Sequence, residues 1–219
     1  MAPSKQRRIH FVGLAVSAAI YLIYLIIRWT GSGCEDHETV SDFDVESYMG
    51  LWYEFARSAS IPFETGECIT AQYSLKDSRE VKVTNTQYFS DTDKFDSIDG
   101  KAYCSKFNTG SCGVKFNALQ PAGAYDVVAT DYNTYAIVYS CSAFFANAFC
   151  LEYLWILSRQ AYDEDSAEFA AFKSQASAMI SEKLPNFDQS TLRYTSQDAS
   201  ACKWVEQSSQ EANSSSVEL

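Results

Sequence analysis

From Gly50 onward the sequence falls into eight short segments that alternate apolar with polar or small residues and end in turn residues. A period of two sends successive side chains to opposite faces of a strand, so such a chain must build sheet with one face buried. The expected strands are Gly50–Ser60, Cys68–Leu75, Val81–Phe89, Phe95–Ser105, Gly113–Leu119, Tyr125–Tyr132, Tyr135–Ser142 and Leu151–Gln160. Connections as short as Lys76–Arg79, Asp91–Lys94 and Asp131–Thr134 join antiparallel neighbours. Eight strands linked this way predict an all-β fold, an eight-stranded antiparallel up-and-down barrel, because closure removes the exposed edges. The 14 Tyr, 14 Phe and 4 Trp suit both pleated strands and an apolar interior.

The period changes after Gln160. Phe169, Phe172, Ala176, Met179 and Ile180 recur at three- and four-residue steps behind the acidic stretch Asp163–Asp165, and Pro185 follows. This predicts one C-terminal α-helix over about residues 163–184, packed on the outside of the barrel. Thr191–Ser196 is expected to add a last short strand. The tail 205–219, rich in Ser and Glu, is expected to be disordered and holds the sequon Asn213-Ser214-Ser215.

Ahead of the body, residues 9–27 carry no charged side chain, a run of roughly 28 Å as a helix, about one hydrocarbon core. Lys5, Arg7 and Arg8 precede it, and Glu35, Asp36 and Glu38 follow, which orients the body away from the cytoplasm. The length fits an uncleaved signal anchor; Gly31-Ser32-Gly33 also fits the end of a cleaved signal peptide. A mitochondrial address is a third reading of a basic leader without acids. The expected organisation is a leader over 1–33, a polar stalk and lead-in over 34–49, the barrel with its helix over 50–204, and the tail.

All seven cysteines, Cys34, Cys68, Cys104, Cys112, Cys141, Cys150 and Cys202, lie behind the apolar run. No C-x-x-C pair occurs, and neither histidine, His10 or His37, sits among them, so no metal site is expected and disulfides are. Spacing alone leaves their connectivity open. The formal charge of -11 opposes binding to nucleic acid. No phosphate loop or Ca²⁺ loop is present, and no cofactor is expected. With no histidine in the body, a Ser-His-Asp or Cys-His site lacks its base. The candidates for catalysis reduce to Cys150 and Glu54, neither with a visible activating partner, and no enzyme is expected.

Three motifs then fall in order at strand ends. Gly50-Leu51-Trp52-Tyr53-Glu54 resembles the G-x-W opening of the first lipocalin strand. Thr130-Asp131-Tyr132 resembles the T-D-Y turn between the sixth and seventh strands, and Arg159 resembles the arginine closing the eighth. Residues 68–75 and 135–141 are similar to the apolipoprotein D and bacterial lipocalin branch of that family. The resemblance, over residues 34 to about 204, implies a lipocalin barrel with the Arg159 guanidinium stacked on Trp52 at the closed end. It implies bridges Cys34–Cys141 and Cys68–Cys202; Cys104 and Cys112 flank a short hairpin and suit a local bridge, which leaves Cys150 over.

It also implies a ligand cavity lined by Tyr73 and Trp155. On the second strand it puts Ala71 and Leu75 inside with Tyr73; strand parity adds Leu157, and more distantly Val83 and Phe89. The expected function is binding and transport or sequestration of one small hydrophobic molecule, such as a fatty acid, sterol or retinoid, close to a membrane. A membrane-held interaction subunit with a lipocalin-shaped body, meeting membrane-protein partners, is the alternative. Both place the barrel on the luminal or extracellular side, anchored or secreted.

Overall fold

The computed structural model describes residues 34–76, 80–105, 108–119, 121–144, 149–198 and 202, together with Ser17, Ile20, Tyr21, Leu22 and Leu25. The remainder of the apolar run 9–27, the turn residues 77–79, the tail 205–219 and the sequon lie outside the described residues. By contact the chain forms two compact units, one of residues 1–35 with Cys141–Glu152 and one of Asp36–Ser140 with Tyr153–Leu219. In the first, the five described leader residues are helical and exposed, Cys34 is bonded to Cys141, and Cys150 is a half-buried free thiol. Among the described residues no helix is long and apolar enough to cross a membrane.

The strands are β1 (Gly50–Ser58), β2 (Glu67–Leu75), β3 (Glu80–Phe89), β4 (Lys94–Cys104), β5 (Ser111–Lys115), β6 (Gly123–Thr130), β7 (Tyr135–Phe144), β8 (Phe149–Ser158) and β9 (Leu192–Tyr194). Each of β2 to β8 lies beside the next, and β1 pairs with both β8 and β2, which closes an eight-stranded antiparallel barrel. The short β9 adds to the far end of β1 through Ala56, Arg57 and Ser58.

Boundaries moved where turn chemistry overrode alternation. The sixth strand stops at Thr130 because the Asp131 carboxylate accepts the backbone N–H groups of Asn133, Thr134 and Tyr135 at 2.8–3.1 Å. Tyr132 is left-handed there, at φ 66°, so it belongs to the turn. The helix α2 spans Ala167–Lys183, later than the acidic stretch, because the Ser166 side chain caps it by accepting from the Phe169 N–H at 3.0 Å. Phe169 and Phe172 lay their rings on Phe55, which points out of β1, at 4.6 and 4.7 Å between centroids. Ala176 and Ile180 are buried along the same stripe, whereas Met179 is only half-buried.

The closed end is built from residues far apart in sequence. A short helix α1 (Val45–Tyr48), capped by Asp44, brings Tyr48 over Trp52, whose indole N–H donates to the Tyr48 carbonyl at 2.9 Å. The Arg159 guanidinium carbon sits 3.7 Å from the Trp52 ring centroid. Its nitrogens donate to the carbonyls of Tyr132, Leu51, Ser47 and Tyr48 at 2.9–3.3 Å. One side chain thus ties α1, β1 and the β6–β7 turn together. Gly50, at φ 98°, is required because a Cβ there would be strained and would meet the guanidinium at 3.2 Å. Arg159→Met removes a cation–π contact worth roughly 0.5–2 kcal/mol and strips four carbonyls of a donor. A drop of about 2–3 kcal/mol is expected, read as a lowered guanidinium midpoint with an unchanged m-value; unaltered stability would contradict this account.

Candidate functional site

Above Trp52 the barrel holds a narrow cavity of about 80 Å³. Its apolar wall comes from Ile69, Ala71, Val83, Val114, Phe116 and Leu157, joined by the rings of Tyr73, Tyr125 and Trp155. The period-2 geometry of β2, β3 and β8 supplies most of them. On β3, Val81 packs in the core while Val83 and Asn85 reach the cavity. The floor is a chain of phenols, with the Tyr125 hydroxyl 2.8 Å from that of Tyr73 and 2.9 Å from that of Tyr48. Burial pushes the pKa of all three upward, so they stay protonated at physiological pH.

Five of the residues named from the sequence, Tyr73, Trp155, Ala71, Leu157 and Val83, come together on this wall. Leu75 and Phe89 do not, which corrects their assignment to the lining. Leu75 lies past the closed end, 39 % exposed, opposite Val81. Phe89 lies at the other end of β3, half-buried, beside Lys94. Parity fixes the face of a strand but not the depth along it, and both strands outrun the cavity.

One polar corner was not foreseen. Glu64, on the β1–β2 loop, folds inward to 8 % exposure, and its Oε2 accepts the Trp155 indole N–H at 2.7 Å. Asn85 approaches its Oε1 at 3.5 Å, and the Glu54 carboxyl lies near enough to bear on its charge. Behind Glu54, Arg57 donates to it at 2.6 Å, to Thr195 Oγ1 at 2.8 Å and to the Gly66 carbonyl at 3.4 Å. Asn85 was legible by its parity with Val83. Glu64 was not, because a loop has no period.

Burial raises the Glu64 pKa to about 8, with the neighbouring Glu54 carboxyl acting in the same direction. Burial also raises Glu54, against the pull of Arg57. Glu64 is therefore a neutral acid near pH 7. A carboxyl whose pKa is higher folded than unfolded gives stability that is full below the ordinary value of 4.5 and gone above about 8. The protein should lose a few kcal/mol of stability between those limits, at about 1.4 kcal/mol per unit. Glu64→Gln should flatten that dependence; guanidinium titrations at pH 5 and pH 9 that fall equally far apart in both proteins would refute the assignment.

Of the other chemical candidates, His37 pairs with Asp126 at 3.0 Å and lies off the cavity wall, and His10 is outside the described residues. Cys150 belongs to the smaller unit. Among the described residues no cluster of His, Cys, Asp or Glu suits a metal ion. Cys68 is bonded to Cys202 and Cys104 to Cys112, the latter across the β4–β5 pair.

A closed eight-stranded antiparallel barrel with a plugged base and an apolar hollow is the architecture that can hold one small ligand. The chain belongs to the lipocalin family: the family model for a Lipocalin-like domain matches residues 43–189. Apolipoprotein D of Rattus norvegicus is 38 % identical over 130 residues, 59 % of this chain and 67 % of that protein. Lazarillo protein of Schistocerca americana is 31 % identical over 192 residues, 86 % of this chain and 85 % of its own. Among solved structures, insecticyanin from the tobacco hornworm Manduca sexta superposes with a TM-score of 0.66 at 22 % identity, covering 78 % of this chain and 90 % of that one. That last likeness concerns the fold.

Proposed function

We propose that the protein binds and carries one small hydrophobic molecule in the barrel cavity, held close to a membrane on the luminal or extracellular side. Family membership supports the carrier role, and the observation that carries it is the enclosed apolar wall of Val83, Leu157, Tyr73 and Trp155 above the Trp52 plug. At about 80 Å³ the hollow is well below the roughly 300 Å³ of an ordinary small-molecule pocket, so a ligand enters only as the wall gives way. Phe63, 57 % exposed on the β1–β2 loop, also lines the cavity and is the side chain that gives way first as a longer ligand enters. Burial of apolar surface at roughly 25 cal/mol per Å² supplies most of the affinity.

Disulfides in the body support an oxidising compartment, and the uncharged run 9–27 behind basic residues supports tethering. The same run favours a second reading, a membrane-held interaction subunit with an empty barrel. Native mass spectrometry of the full chain from an oxidising host separates the two. A co-purified lipid, together with quenching of tryptophan emission by retinol that Trp155→Phe diminishes, supports the carrier. An empty barrel, indifferent to every apolar probe and bound to membrane proteins, overturns it.

A further inference from the structure

The cavity's polar groups are unbalanced in a way that bears on the ligand's head group. Arg57 lies behind the wall, and its guanidinium is taken up by Glu54, Thr195 and Gly66. Among the described residues no cationic side chain lines the cavity. The polar residues on the wall are acceptor-rich: the Glu64 and Glu54 carboxyls, and Asn85, whose Oδ1 is buried and has no hydrogen-bond partner. A buried acceptor left unpaired costs about 1–3 kcal/mol, a cost that a ligand O–H donor would remove. A carboxylate in the same place would meet two carboxyls and the bare amide oxygen without any positive charge to offset its desolvation.

From this geometry we infer that Asn85 and Glu64 select a ligand whose buried end is a neutral hydroxyl, and that they discriminate against the carboxylic acid of the same body. The inference rests on the carrier reading and narrows it to apolar alcohols. As the ligand enters, the Asn85 amide turns its unpaired oxygen to the hollow and accepts the ligand's O–H, and the neutral Glu64, already held by the Trp155 indole, accommodates the uncharged head without an ion pair. Affinity gained there adds to burial of the slim apolar body along Val83, Val114 and Leu157.

All-trans-retinol and all-trans-retinoic acid share one polyene and differ in the head alone, which makes them the test pair. Full-length protein in lipid nanodiscs is titrated with each at pH 7, empty nanodiscs correcting for partition into lipid. Retinol should bind at least about 10-fold more tightly. Asn85→Leu should bring the two within about 2-fold, chiefly by weakening retinol, whereas Asn85→Asp, which keeps an acceptor, should preserve or widen the gap. Equal or tighter binding of the acid by the wild type, or an unchanged preference in Asn85→Leu, overturns the head-group selection and leaves the carrier standing. Failure of both probes to bind overturns the carrier reading, and this inference with it.

Discussion

A chain carrying Cys68→Ser and Cys202→Ser should melt roughly 10 °C below the wild type, the largest loss expected from any change outside the barrel core. The bridge spans 134 residues. Releasing a loop of that length returns chain entropy worth about 5 kcal/mol in the simplest account, and measured values commonly run to about 2–4 kcal/mol. For a domain of this size each kcal/mol moves the midpoint by about 2–4 °C. Both sulfurs are buried, packed on Tyr88 and Phe95, so serines there would also bury hydroxyls in an apolar cluster.

The local geometry shows why the bridge is placed where it is. Cys68 sits in a β-bulge of β2 with φ 52°, a left-handed conformation rare in residues other than glycine. The Cys68 N–H donates to the Ser196 carbonyl at 2.9 Å, which lays the C-terminal segment along the barrel. That segment carries Thr195, bonded to Arg57 and Glu54, and Gln197, whose amide donates to the carbonyls of Glu54 and Ile69 at 3.0 and 2.8 Å. Losing the disulfide should therefore loosen the polar corner of the cavity as well as the tail. Differential scanning calorimetry of the double variant, with phosphine-treated wild type beside it, checks this; a shift under about 2 °C in the variant would remove the bridge from the account.

Arg57→Met should cost about 3–5 kcal/mol, because it strands the Glu54 carboxylate inside the barrel. Arg57 is 1 % exposed and Glu54 2 %, so water cannot replace the lost partner. Glu54, already raised by burial, would rise further without the guanidinium and would take up a proton. The sign follows: the variant's deficit should be smallest at acid pH, where the carboxyl is protonated in both states, and should grow as pH rises. Replacing both residues together, Glu54→Leu with Arg57→Met, should recover much of the loss. Chemical denaturation at pH 5 and pH 8 reads both effects; a pH-independent deficit would mean that lost packing, and not a stranded charge, sets the cost.

Much of the fold was legible in the residues. Alternation in 68–75 and 81–89 marked strands, and the three-and-four spacing of Phe169, Phe172, Ala176 and Ile180 marked the outer helix. The cavity was legible in part. Tyr73 followed from the family resemblance and Val83 and Leu157 from parity, but Leu75 and Phe89, on the same inward faces, fell beyond the ends of the hollow. Boundaries went astray where a side chain capped the backbone, at Asp131 and Ser166, because such bonds are made by single residues and leave no period.

The sequence alone determined the number of barrel strands, their order along the chain and the presence of the outer helix, since each rests on a period that repeats along the chain. Tertiary structure alone decided that Glu64 turns inward, that Arg57 serves Glu54 behind the wall, and that Asn85, on that wall, holds an unpaired oxygen. Those facts depend on where barrel closure brings residues tens of positions apart, and on how a loop without periodicity meets the wall. Electrostatics in a buried space is a property of that meeting, so the character of the ligand's head group could be read only from the folded protein.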